Sequence, residues 1–248
     1  MSGYAVRPGQ RVVVVTGATG ATGRATCAAL LARGERVVAV GRDPESLREL
    51  SDALTTRHDD GDRDGDDEVA AQLDTRVCDL LDGEAVRSLA EEVVTAYGRV
   101  DGLFHLVGGW RGGASFTAST DDDWRWLSGN LVDTLRHTTL ALHDALLASG
   151  RGRVAIVSAA AAAKPTAGNA AYASAKAAAE AWVAALADSF GGGDDATPGS
   201  AAVIGVVEWI GDGRTATAPA EVAEWLVGLL DADAARLNGS RVDLSARP

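Results

Sequence analysis

Lysine is nearly absent from this chain: of 23 basic residues only Lys164 and Lys176 are lysines, against 35 aspartates and glutamates and a formal net charge of −12. So acidic a surface excludes nucleic acid as partner, because phosphate backbones are held by clustered cations, and any anionic ligand must be held by local groups. Arginine, alanine and glycine are abundant beside that deficit, which fits both a GC-rich gene and adaptation to salt. Cysteine is scarce too. Cys27 and Cys78 sit in apolar segments without partners at metal-ligand spacing, so they read as buried free thiols of a reducing compartment, and no metal site is expected. No run approaches the ~20 consecutive apolar residues that a membrane-spanning helix requires. The amino end lacks a basic region followed by an apolar core, so an untargeted, soluble, cytoplasmic protein is expected.

What is present is a regular alternation. Hydrophobic residues make up 46% and charged residues 23% of 248, enough to fill both faces of a buried sheet in one domain spanning 1–248. Val12 to Val15 is a β-branched run ending in Thr16-Gly17, and an Ala/Leu-rich stretch follows from Ala21 to Arg33, closed by Gly34. Strands are predicted again at Arg36 to Val40, Thr75 to Cys78, Val100 to Val107, Arg153 to Val157, Ala201 to Val207 and Ser240 to Leu244. Helices are predicted at Pro44 to Thr56, Glu84 to Tyr97, Asp122 to Leu147, Tyr172 to Ser189 and Ala220 to Leu230. Uninterrupted apolar strands alternating with helices imply a parallel sheet covered on both faces. The expected fold is therefore an α/β, Rossmann-type, doubly wound parallel sheet of about seven strands in three αβα layers. The Asp/Gly-dense run His58 to Glu68 reads as an acidic, solvated loop (58–68), and Gly191 to Gly199 as a flexible connector.

Three patterns carry chemistry. The first strand-turn-helix holds Thr16-Gly17-Ala18-Thr19-Gly20-Ala21-Thr22-Gly23, a T-G-x-x-G-x-x-G arrangement. Glycines there permit a sharp turn, close approach of a pyrophosphate and tight helix–strand packing, with the helix N-terminus facing the phosphates. The second strand ends in Val40-Gly41-Arg42-Asp43, without the carboxylate that NAD-preferring enzymes place against the ribose. Arg42 offers a planar fork for a 2′-phosphate, which favours NADP(H), while Asp43 before Pro44 also reads as a helix cap. Tyr172 and Lys176 stand four residues apart on one helix face, where an ammonium favours the phenolate and lets the tyrosine exchange a proton with a substrate oxygen. Ser158 follows the strand Arg153 to Val157, placed either to donate to that oxygen or to cap a turn.

Together these residues resemble the short-chain dehydrogenase/reductase family over essentially the full length. Asp79 after the third strand, Asn130 in Gly129-Asn130-Leu131 and Tyr172-Ala173-Ser174-Ala175-Lys176 stand in the family's order. The resemblance implies an NADP(H)-dependent oxidoreductase that interconverts a ketone or aldehyde and an alcohol. In it Tyr172 is the acid/base, Lys176 the group that lowers its pKa and holds the ribose, Ser158 the substrate positioner and Asn130 the support of a water-mediated proton relay. Thr16, Gly17, Thr19, Gly20, Ala21, Gly23, Arg42, Asp79, Leu80, Gly108, Tyr172 and Lys176 are the positions expected to face the cofactor. It implies a homodimer or homotetramer built on the helices Asp122 to Leu147 and Tyr172 to Ser189. Two departures stand out. His105-Leu106-Val107-Gly108 replaces the family's Asn-Asn-Ala-Gly, with loss of the asparagine bonds that tie neighbouring strands. The segment Glu208 to Thr215 is short and lacks the family's Pro-Gly, so Thr215 is the candidate for its carboxamide-binding threonine. Of the other histidines, His58, His137 and His143 carry no expected chemistry, and His105 reads as a satisfied interior residue. A cofactor-binding subunit without turnover, and an epimerase or dehydratase, remain the alternative functions.

Overall fold

The computed structural model describes residues 6–55, 72–191, 199–213 and 216–245. The acidic run 58–68, most of the connector after Gly191, and Thr215 lie outside the described residues. Seven strands form one parallel sheet in the order β3-β2-β1-β4-β5-β6-β7: β1 Val12–Thr16, β2 Arg36–Gly41, β3 Leu73–Val77, β4 Gly102–His105, β5 Arg153–Ala159, β6 Ala201–Val207 and β7 Arg241–Asp243. Helices α1 (Ala21–Ala32), α2 (Pro44–Thr55) and α7 (Pro219–Leu229) cover one face; α3 (Gly83–Tyr97), α5 (Thr134–Ala148) and α6 (Ala170–Gly191) cover the other. Short helices α4 (Asp121–Ser128) and α8 (Ala234–Leu237) complete the chain.

Side-chain alternation along the strands builds the two cores. Val12 and Val14 of β1 face α3, α5 and α6 with Val38, Leu103 and Ile156, whereas Val13 and Val15 face α1 and α7 with Val37 and Phe104. All four β1 valines are buried, at about 1.5–3 kcal/mol apiece, so the central strand is fixed on both sides. Beyond β1 the chain crosses toward β2 and β3, and beyond β4 toward β5 to β7, so a crevice opens outside the carboxyl ends of these two neighbours.

Two departures from expectation bear on the site. The stretch Asp122 to Leu147 is not one regular helix: α4 runs into a π turn at Gly129–Asp133 before α5 begins. The strand expected to end at Val157 continues through Ala159, because β6 pairs with it as far as Ala159↔Val207, so Ser158 lies within β5 and not after it.

The turn between β1 and α1 depends on two glycines. Gly17 has φ +69°, and a Cβ there would sit 2.7 Å from the Leu106 carbonyl oxygen. A Cβ on Gly23 would lie 2.2 Å from the Gly17 carbonyl oxygen, a backbone atom that cannot swing aside. Gly23→Ala is therefore expected to cost about 3 kcal/mol of stability by urea unfolding. Gly108→Ala, where no protein atom lies within 4 Å of the built Cβ, should stay within about 0.5 kcal/mol of the parent.

Candidate active site

A groove of about 230 Å³ lies over the β1–α1 turn, lined by Gly17, Thr19, Gly20, Gly41, Arg42, Asp79, Leu80, Gly108 and Asn130 among others. The N-cap of α1 is Gly20, whose lack of a side chain leaves the first-turn amides without a side-chain partner. Of the other expected contacts, Thr16 and Gly23 are buried beneath the turn and Ala21 begins α1, none of them lining the groove. Arg42 is exposed at the rim with no carboxylate partner among the described residues. Asp43 instead accepts from the Ser46 amide and hydroxyl, which holds its carboxyl below the usual range and caps α2. Asp79 spends one oxygen on the Leu81 amide, and the Leu80 carbonyl accepts from His137 Nδ1.

Leu106, Val107 and Gly108 form a shared floor between this groove and a larger cavity of about 760 Å³. Tyr172 and Lys176 both line the cavity, with Trp110, Lys164, Asn169, Glu208 and Trp209 at its walls. The buried face of α6 carries Ala173, Ala175, Ala179 and Val183; Lys176 on it reaches β5, and Tyr172 packs against Leu127, Leu131 and Ala175. Lys176 Nζ donates to the Val157 carbonyl at 2.8 Å and lies 5.9 Å from the centre of the Tyr172 ring. Burial brings the ammonium down to about 8, partly opposed by the charge of Glu180. Burial also pushes the Tyr172 phenol above its ordinary value. The lowering of the phenol that the resemblance implies is opposed here by burial. Trp110 and Trp209 line the cavity, while Trp126 packs with Leu127 and Leu131, and exposed Trp124 is not among its lining residues.

Ser158 is placed differently from expectation. It shares the face of β5 with Val154 and Ile156 and lines the cavity, while its hydroxyl donates to Glu180 Oε1 at 2.6 Å. Glu180 was not singled out by the sequence, although it stands four residues past Lys176 on the same helix face. Asn130 sits in the π turn. Its Nδ2 donates to the Trp126 carbonyl at 2.8 Å, and its own carbonyl accepts from Thr134 Oγ1 at 2.7 Å. Single π turns recur at functional sites, but nothing in the apolar periodicity of this stretch signals one.

The tie expected to be lost with the family's asparagines is restored by His105. Thr16 Oγ1 lies 2.8 Å from His105 Nδ1, and His105 Nε2 lies 3.2 Å from Thr134 Oγ1. Thr134 spends its proton on the Asn130 carbonyl, so it accepts from Nε2–H, and Thr16 then donates to Nδ1. This fixes a neutral tautomer by hydrogen-bond accounting. Burial depresses the ring to about 3, aided by the Lys176 charge. A base whose folded pKa lies below its unfolded value stabilises the fold fully above pH ~6.5 and loses that contribution as pH falls toward 3. His105→Asn, which can still accept from Thr16, should therefore flatten the stability profile between pH 6.5 and 4. The difference from the parent should reach about 2 kcal/mol at pH 5 in urea titrations, and parallel profiles would show that His105 is protonated in the fold.

Over residues 11–192 the chain matches the short chain dehydrogenase family. It is 33% identical over 148 residues to dehydrogenase/reductase SDR family member 7B of Bos taurus, covering 59% of this chain and 43% of that protein; the chain spans about half the length of the curated relatives it matches. The NADPH-bound short chain oxidoreductase of Pseudomonas aeruginosa PAO1, described as containing an atypical catalytic center, superposes with a TM-score of 0.81 at 24% identity over 94% of each chain. A variant of actinorhodin polyketide ketoreductase with NADPH gives 0.79 at 22% identity over 96% of this chain and 97% of that one. Because the family match runs from β1 through α6, across most of the elements that build the groove and cavity, the chain belongs to the short chain dehydrogenase family.

Proposed function

We propose that the protein is an NADP(H)-dependent oxidoreductase that reduces a ketone or aldehyde to an alcohol, with Tyr172 as proton donor. The observation that carries this reading is the shared floor Leu106-Val107-Gly108, which joins the groove over the glycine turn to the cavity holding Tyr172 and Lys176. The groove fits a dinucleotide phosphate. The uncapped first turn of α1 supplies amide donors and positive dipole. The open space beside Gly108 leaves room for a ring, and exposed Arg42 with no acid at the end of β2 suits a 2′-phosphate. Asp79 keeps one oxygen for the adenine edge beside Leu80. The structural neighbours described with NADPH agree with this assignment.

When bound, the nicotinamide supplies the hydride. The protein's part is the proton. A phenol pushed upward by burial keeps its proton at neutral pH and so acts as the acid that meets a carbonyl oxygen as negative charge develops there. The charged Lys176 nearby favours the phenolate left behind, and its remaining N–H groups are available to a ribose. Asn130, whose Oδ1 has no hydrogen-bond partner among the described residues, supports proton resupply through water. Trp110, Trp209 and Ile210 give the cavity its apolar wall, and about 760 Å³ admits a substrate of ten or more heavy atoms. Association into a homodimer or homotetramer is supported by Leu140 and Leu147, large apolar side chains left exposed on α5.

Two expected outcomes test the reading. Tyr172→Phe should lower turnover about 10²-fold or more on any carbonyl compound found active in an NADPH screen, while NADPH affinity by calorimetry stays near that of the parent. Turnover within a few-fold of the parent would remove Tyr172 from the chemistry. Arg42→Ala should weaken NADPH binding about tenfold and leave NADH binding unchanged, and equal losses for both would place Arg42 away from the 2′-phosphate.

A further inference from the structure

Glu180 is the third rung of a ladder on α6. Tyr172, Lys176 and Glu180 follow at four-residue intervals, so their side chains leave one face of the helix in successive turns. Lys176 and Glu180 then reach adjacent residues of the same strand. Lys176 Nζ donates to the Val157 carbonyl at 2.8 Å, and Glu180 Oε1 accepts from Ser158 Oγ at 2.6 Å. The second carboxylate oxygen accepts from Arg241 Nε at 3.0 Å, which closes the array on β7. Glu180 is 17% exposed in its side chain and Lys176 is 8% exposed overall, so the carboxylate acts across a partly desolvated gap.

We propose that Glu180 is a positioning residue of this site: it keeps Lys176 charged in its buried seat, and it holds the Ser158 hydroxyl as part of that support instead of leaving it to meet a substrate. The physical need is plain. A buried ammonium with one carbonyl partner is destabilised by desolvation and tends to shed its proton near neutrality, and an anion on the next turn opposes this. The other titratable groups around Lys176 cannot do so. Tyr172 on α6 keeps its proton, His105 on β4 is neutral, Lys164 across the cavity carries the same sign, and Arg241 reaches Lys176 only through Glu180. Glu208 lines the same cavity on the segment after β6, but makes no ion pair with Lys176. Ser158 has one proton to give, and it goes to Glu180. The relevance of this device to catalysis rests on the role given to Lys176 above; the state of the lysine can be read without turnover.

The scarcity of lysine makes that reading direct. Only two lysines contribute to a spectrum of ¹³Cε- and ¹⁵Nζ-labelled protein, and Lys164→Arg assigns the pair. In Glu180→Gln, which preserves shape and can still accept from Ser158, the titration midpoint of Lys176 should fall by about one pH unit. In Arg241→Gln, which frees the Glu180 charge from its partner, the midpoint should rise. Circular dichroism verifies the fold of each variant, and if Glu180→Gln does not fold the Arg241→Gln titration decides alone. A midpoint that falls by less than half a unit in Glu180→Gln, or one that does not rise in Arg241→Gln, overturns the proposal. Either result leaves the Tyr172 assignment standing, because that is tested by turnover.

Discussion

The carboxyl ends of β1 and β4 meet at Thr16 and His105, and the mouth of the sheet is shaped by how that contact is satisfied. The two residues are in register across a parallel pair and are both buried, so their polar atoms must find partners inside the protein. Thr134 and Thr138 would keep helix carbonyls as acceptors without the imidazole, but Thr16 would not keep its partner, at a cost of about 1–3 kcal/mol. The same junction sends the Leu106 amide to the Thr16 carbonyl, which starts the stretch Leu106-Val107-Gly108 in the direction that floors both groove and cavity. A stability device at the strand ends thereby sets the path along which two ligands can be brought together.

Electrostatics then decide what that path can do. In a chain that uses arginine for 21 of its 23 basic residues, both lysines line the cavity of about 760 Å³. For Lys176 the chemistry gives a reason: a guanidinium stays charged, is broad and demands several acceptors, whereas an ammonium fits against one carbonyl and a ring edge and responds to burial. The same desolvation moves the phenol upward and the ammonium downward from nearly equal ordinary values, so the phenol comes to hold its proton more firmly than the ammonium.

Much of the fold was legible because buried parallel strands leave an unmistakable trace: Ala201 to Val207 was read with the observed bounds, and the strand count and layer order follow from the alternation. At β3 the reading slipped toward Cys78, since this edge strand is only half buried and its apolar pattern is diluted by Asp74 and Arg76. The π turn at Gly129–Asp133 was invisible, because one extra residue per turn leaves apolar residues on roughly the same face. Tyr172, Lys176 and the glycine turn were legible through spacing on a helix or in a tight turn. Ser158 was not, because side chains alternate along a strand, and neither length nor composition tells whether β5 stops at Val157 or two residues later. Glu180 left a signal that went unread: an acid on the Ala-rich face that already carries Tyr172 and Lys176.

The consequence of that strand parity reaches the design of the site. The last strand position carries Ala159, and Ser158 before it, which also lines the cavity, gives its hydroxyl proton to Glu180 on α6. Phenol, ammonium and carboxylate therefore all stand on one helix, whose buried face from Ala173 to Phe190 is packed along most of its length. Groups fixed to a single rigid element keep their mutual spacing to within the tolerance that proton transfer demands, more reliably than groups gathered from loops.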